Sequence, residues 1–180
     1  MINVTIESTP ELTQWAATVG ATENQIRRAA IKSLNVTIRW VRAQMAREVA
    51  AKTKLRVGLI KSGLLTIKAS RSHLQATVGL SKRSGQVPLS KVGNAVQNDQ
   101  GVVVKKKLHK HAFVARMRSG HEGIYRRKSG SRLPIKELYF FFSQDLRDAM
   151  DYFSDGIAYR YFEQLFEREM RYILRSTFHK

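Results

Sequence analysis

The sequence holds no cysteine in 180 residues. That excludes disulfides, cysteine nucleophiles and zinc sites built on thiolates, and it says little else about compartment. Acids are scarce, with 14 Asp and Glu against 32 Lys and Arg. No apolar run approaches the roughly 20 residues that a membrane span needs. Tyr139-Phe140-Phe141-Phe142 is aromatic but far too short. Met1 to Glu7 carries neither a basic nor a long apolar region, so no secretory signal is expected. Internal repeats and low-complexity tracts are missing. Gly58 and Gly63 have the glycine spacing of a phosphate-binding loop, but Leu64-Leu65 follow where Lys and Ser or Thr are required.

What is present is positive charge, unevenly placed. Val49 to Lys136 contains 20 Lys and Arg but only two acids, Asp99 and Glu122. The flanks are balanced, so the whole formal excess of +18 sits in the middle of the chain. Such a field suits a polyanionic or acidic partner, either nucleic acid or an acidic protein ring. A charge run of this kind also serves solubility alone, which is the bland alternative. The composition, 43% hydrophobic and 26% charged, is that of a folded protein with a core.

The flanks read as helices. Ser8 or Thr9 is placed to cap a helix that has Pro10 in its first turn and ends near Gly20. Thr22 is placed to cap the next. Ile26, Ala30, Leu34, Ile38, Val41, Met45 and Val49 recur at spacings of three and four, one apolar face over about seven turns, roughly 35 Å. Leu55 to Leu65, broken by two glycines, suits a short helix. Ser143 is placed to cap a C-terminal helix, Gly156 to interrupt or kink it, and Ala158, Phe162, Leu165, Phe166, Met170, Ile173 and Leu174 to form its apolar face. The Asn35-Val36-Thr37 sequon falls inside a helix and is read as chance.

Between the helices the pattern turns to strands. Val4 to Ile6, Leu64 to Ala69 and Leu74 to Leu80 alternate, with Arg71 and Ser72 at a turn. Ser84 to Pro88 reads as a loop, Gln97 to Gly101 as a turn, and Val102 to Val104 as a strand ending in Lys105-Lys106-Lys107. Phe113 to Met117, Ile124 to Arg127 and Leu133 to Tyr139 then read as a three-strand meander with its cations on one face. Pro134 marks an edge or a strand start. The expected fold class is α+β: a mostly antiparallel central sheet with a long N-terminal and a long C-terminal helix. One domain is expected over 1–180, helical over 8–62, sheet-rich over 64–140 and helical over 143–178.

The candidate chemistry is thin. His109 and His111 would share one face of an extended strand, but no acid or thiol supports them, and Lys105 to Lys107 and Lys110 would repel a cation. His121, beside Glu122, lacks a placed nucleophile or second carboxylate and reads as a turn histidine bonded to backbone. No metal, cofactor or catalytic residue is expected. Lys105, Lys106, Lys107, Arg126, Arg127 and Lys128, with Tyr125 among them, form the candidate basic face for a partner or for DNA. No sequence-reading DNA motif accompanies them. Phe140, Phe141 and Phe142 cannot all face one core from a strand. They form either a corner between sheet and helix or a subunit contact.

The stretch from Phe113 to Leu138 carries a further signal. Phe113-Val114-Ala115-Arg116-Met117, Ser119-Gly120-His121, Gly123-Ile124, Arg132-Leu133-Pro134-Ile135 and Glu137-Leu138 resemble the signature region of the minor tail protein Z family of tailed phages and prophages. Phe113, Arg116, Gly120, His121, Gly123, Arg132, Leu133 and Pro134 are the motif positions, with a structural role implied. The family usually continues from Glu-Leu with Gly-Pro-Ser, whereas Tyr139 to Ser143 follow here, so the turn chemistry differs. The resemblance implies a structural virion protein that completes the head-proximal end of the tail in the neck region, assembled in the host cytoplasm. It implies the tail terminator and head-neck proteins as partners, a homo-oligomeric ring that is a hexamer in the usual tail symmetry, and no membrane. The basic face would meet acidic neighbour rings or the packaged DNA. A nonspecific nucleic-acid-binding protein is the alternative.

Overall fold

The computed structural model describes residues 3–178 apart from 8, 9, 11–13, 15–17, 19, 82 and 83. The expected capping positions Ser8 and Thr9 lie outside the described residues, while Pro10, Gln14 and Thr18 are helical. The fold is α+β, with a long helix near the start, another at the end and antiparallel pairing throughout the strands. The chain groups into two compact units. The first comprises residues 1–84 and 144–180, the second residues 85–143.

In the first unit, α1 (Glu23–Thr53) is the longest element. Its start is fixed by Gln25, whose Oε1 accepts from the Thr22 backbone N at 2.8 Å and from Thr22 Oγ1 at 2.9 Å. This ties two groups at the helix entry, as the Thr22 cap anticipates. The helix ends at Lys54, where φ is +55°. Every member of the expected stripe from Ile26 to Val49 is buried, Leu34, Ile38, Val41, Met45 and Val49 completely. Each large side chain so buried contributes about 1.5–3 kcal/mol. α2 (Val57–Ser62) follows, anchored where Arg42 Nη2 donates to the Lys61 carbonyl at 2.7 Å.

β1 (Asn3–Glu7), β2 (Leu64–Ile67) and β3 (Gln75–Leu80) form an antiparallel sheet in the order β1-β3-β2. Period-2 alternation sends Ile6, Leu64, Ala76 and Val78 inward, where all are buried, and leaves Leu65 and Ile67 exposed. Asn35 clamps α1 to the chain after β2. Its Nδ2 donates to the Ala69 carbonyl at 3.0 Å and its Oδ1 accepts from the Ala69 N at 2.9 Å.

α3 (Ser143–Ser154) and α4 (Ile157–Phe178) are separated at Gly156, whose φ of +77° breaks the helix as expected. α4 buries Ala158, Phe162, Leu165, Phe166 and Met170 and packs on α1. Trp40 of α1 stacks on Tyr161 with ring centres 4.2 Å apart and meets Phe153 edge-on at 5.8 Å. Lys32 and Glu169 add an ion pair across the two helices at 2.6 Å.

The second unit is built from short antiparallel strands in three sheets. Residues 84–88, expected as a loop, include β4 (Gln86–Pro88), which pairs with β11 (Tyr139–Phe141). The segment has the composition of a loop, and its strand partner lies some fifty residues away in sequence, beyond any local signal. A 3₁₀ turn, Leu89–Lys91, leads to β5 (Ala95–Asn98), β6 (Gly101–Val104) and β7 (Lys107–Lys110), which form a two-hairpin sheet. β8 (Ala112–Arg116), β9 (Glu122–Arg127) and β10 (Ile135–Glu137) form the expected meander, and Pro134 stands immediately before the edge strand β10.

Candidate functional site

The second unit holds most of the candidate residues. It carries 12 Lys and Arg against Asp99, Glu122 and Glu137. Lys105 and Lys106 do not continue a strand, as the sequence suggested. They are the two-residue turn between β6 and β7, with φ of +48° and +64°, and Lys107 opens β7. Two left-handed residues in a two-residue hairpin match its right-handed twist, a geometry usually filled by Asn-Gly. Lysine accepts it at a cost of roughly 1 kcal/mol per residue. The turn thus presents consecutive cations at the tip of a hairpin. The preceding turn is more conventional: Asn98 Oδ1 accepts from the Gln100 and Gly101 N atoms at 3.1 and 3.0 Å. At Gly101 a Cβ would lie 2.2 Å from the His109 carbonyl oxygen, so only glycine fits.

The register of the meander corrects the expectation of one cationic face. Arg126 stands opposite Ala112 and Lys136, while Arg127 stands opposite Ile135. Adjacent strand residues point to opposite sides, so Arg126 shares a side with Lys136 and Arg127 shares the other with Phe113. The Arg127 guanidinium lies 5.8 Å from the centre of the Phe113 ring, close enough for a cation–π contact. All three of Arg126, Arg127 and Lys128 are exposed, as are Lys105, Lys106 and Lys107. Lys106, Lys107, Arg126, Arg127 and Lys128 form no ion pair among the described residues, whereas Arg27, Lys32, Lys52 and Arg171 of the first unit do.

His109 lies among cations. Its burial, and then the charges of Lys107 and Arg126, push its pKa below the ordinary 6.5. His111 has a φ of +57° and lies beyond the end of β7, so it does not share an extended face with His109. Two ligands on one face, the geometry a metal would need, are therefore not formed by this pair.

Two of the motif residues, His121 and Gly123, meet at the carboxylate of Glu137 in the same signature stretch. Glu137 Oε1 pairs with His121 Nε2 at 2.8 Å, and its Oε2 accepts from the Tyr139 hydroxyl at 2.9 Å. His121 therefore bonds through its ring to an acid 16 residues away and not to backbone, although its own carbonyl accepts from the Met117 N at 2.8 Å. Burial, and then the charge of Glu137, raises the Tyr125 pKa above 10.0. Gly123 makes room for this arrangement. A Cβ there would sit 2.8 Å from Glu137 Oε1 and 3.0 Å from the Tyr125 ring. Gly120 takes a φ of +82° in the β8–β9 turn, and its carbonyl accepts weakly from Arg116 Nε at 3.4 Å. Phe113 meets Tyr125 across the strands at 6.3 Å.

Arg132, Leu133 and Pro134 belong to the loop between β9 and β10, which is closed where Lys128 N donates to the Pro134 carbonyl at 3.1 Å. All three are exposed, Leu133 by 67%. The aromatic run divides by alternation. Phe142 is buried and stacks with Phe140 at 6.5 Å, while Phe141 is 67% exposed. Phe142 N donates to the Gly85 carbonyl at 2.7 Å, and a Cβ on Gly85 would meet the Ser143 Cα at 2.6 Å. Tyr139, which follows Glu137-Leu138, opens β11, and its hydroxyl donates to Glu137.

The family model of Prophage minor tail protein Z (GPZ) matches residues 20–180. No curated protein and no solved structure matches the chain.

Proposed function

This chain belongs to the prophage minor tail protein Z family, a family of structural phage tail proteins, and we propose that it completes the head-proximal end of the tail and takes part in joining tail to head. The observation that carries this reading is the family match over residues 20–180, which takes in both long helices and the whole meander. Its place is the virion tail, and within it the neck region, with assembly in the host cytoplasm. Among the described residues no helix is long and apolar enough to cross a membrane.

The protein acts by surface complementarity and not by catalysis. Its partners are the tail terminator and the head-neck proteins, and it works as a homo-oligomeric ring, a hexamer in keeping with tail symmetry. Lys106, Lys107, Arg126, Arg127 and Lys128, which form no ion pair among the described residues, supply the attraction. Charges left without carboxylate partners among the described residues are available to carboxylates or phosphates of a partner. Phe141 and Leu133, each 67% exposed, supply apolar contact. The same unpaired cations favour a second reading, nonspecific contact with nucleic acid, here the packaged DNA.

Particles made without this protein are the test. Tails of near-normal length that fail to give infectious virions are expected. Absence of tail tubes altogether would mean that the protein acts earlier, in tube initiation. Salt-sensitive DNA binding by an isolated monomer, with no effect of its loss on infectivity, would favour the second reading.

A further inference from the structure

Arg27, Arg28 and Arg71 line a cleft of about 180 Å³ in the first unit, together with Asn24 and Ile31. One wall is the start of α1. The other is the turn between β2 and β3, closed by Ser70 N to His73 O at 2.8 Å and His73 N to Ser70 O at 3.2 Å. Arg27 fastens the two walls together. Its Nη1 donates to the Arg71 carbonyl at 2.8 Å and its Nη2 to Glu23 Oε1 at 3.0 Å. Two turns further along α1, the Asn35 clamp on Ala69 repeats the attachment.

Three arginines line one small space, and like charges brought together repel one another. A solvated arginine cluster lowers that repulsion by spreading, but here bonds to the backbone hold the walls in register. Glu23 is the one carboxylate paired with any of the three among the described residues, and its side chain is 85% exposed. The guanidiniums of Arg28 and Arg71 have no hydrogen-bond or ion-pair partner among the described residues, and both residues are exposed. Every cation of the cleft is arginine, whose planar fork of donors fits a tetrahedral oxyanion in a way that a lysine point charge does not. Asn24 adds an amide, and Ile31 gives an apolar wall.

We propose that this cleft binds one phosphate group, with Arg28 and Arg71 as the forks that grip it and Arg27 as the residue that positions the two walls. The site is in the first unit, apart from the cations at Lys105 to Lys107 and Arg126 to Lys128, and it goes beyond the proposed role in tail completion. The same chemistry serves a free phosphate, a terminal phosphate monoester or a phosphodiester. A ligand that bridges the walls binds only the folded chain, so it would also stabilise the junction of α1 with the β2–β3 turn.

The test is a titration of the full chain with inorganic phosphate at constant ionic strength, read by phosphorus NMR. Wild type is compared with Arg28→Gln/Arg71→Gln and with Lys105→Gln/Lys106→Gln/Lys107→Gln. A saturable phosphorus shift is expected for wild type and for the triple lysine variant, with at least about tenfold weaker binding in the arginine variant. Arg28→Lys keeps the charge and removes the fork. It should weaken binding measurably, and it decides the matter if the double variant fails to fold. No saturable shift in wild type, or equal affinity in wild type and the arginine variants, would overturn the site. Displacement of phosphate by an oligonucleotide only when it carries a 5′-phosphate identifies a terminal monoester. Displacement without that group identifies a diester, and displacement by neither leaves free phosphate as the ligand.

Discussion

The carboxylate of Glu137 joins three parts of the second unit: its own strand β10, the β8–β9 turn through His121, and β11 through Tyr139. Replacing it by Ala removes the acceptor of both bonds. With the Glu137 side chain only 17% exposed, this should cost about 1–3 kcal/mol, towards the lower end because water reaches the half-exposed His121. Denaturant melting checks this, and an unchanged midpoint would show that the three segments hold without it. Glu137→Gln, which keeps an acceptor, should lose less. His109 makes a prediction about pH. Its folded pKa is depressed by burial and by Lys107 and Arg126, so below 6.5 the unfolded chain binds the extra proton first. Its contribution is therefore complete above 6.5 and is lost as pH falls towards the folded value. Melting temperatures across mildly acidic pH should fall less steeply for His109→Gln than for wild type. Parallel curves would assign the acid sensitivity to other groups.

The elements were legible in proportion to how local their signals are. The Ile26 to Val49 stripe repeats over the whole of α1, the Thr22 start and the Gly156 break are single-residue signals, and all three stand as read. Leu34→Asp or Ile38→Asp would place a charge at a position with no exposure, which should abolish soluble folding. A soluble variant with wild-type melting would refute the assignment of that face to the core. The β4 strand was missed because its partner β11 is distant and its own three residues carry no alternation. The Lys105-Lys106 turn was missed because its residues are not the glycine and asparagine that announce such a turn; only pairing of Val104 with Lys107 reveals it. In the candidate site, the exposure of the six cations was readable, but the division of Arg126 and Arg127 to opposite sides required the register. The His121–Glu137 pair was hidden for the same reason, since nothing local links residues 16 apart. A histidine in a glycine turn and a lone acid in a basic strand were its only visible traces.

For the whole molecule, the distribution of charge matters more than its sum. A net charge of +18 is compatible with mere solubility, but the ion pairs found between Lys or Arg and carboxylates all lie in the first unit among the described residues. The second unit therefore keeps its positive field for an external partner. Changing Lys105, Lys106, Lys107, Arg126, Arg127 and Lys128 to Gln should leave stability nearly unchanged, because all six are exposed and exposed charges contribute little. Replacing the two turn lysines by Gln keeps the left-handed strain, so no compensating gain is expected there. Docking to an acidic neighbour should weaken, and any DNA contact should show a shallower salt dependence, in proportion to the phosphates no longer neutralised. Folding is followed by thermal melting and assembly by the yield of infectious particles. A variant that folds and assembles fully infectious virions would reduce this charge to solubility. A variant that cannot fold would mean that these cations hold the second unit together, contrary to their exposure. Folding with failed assembly is the expected outcome, and it would locate the docking charge on the β6–β7 tip and the end of β9.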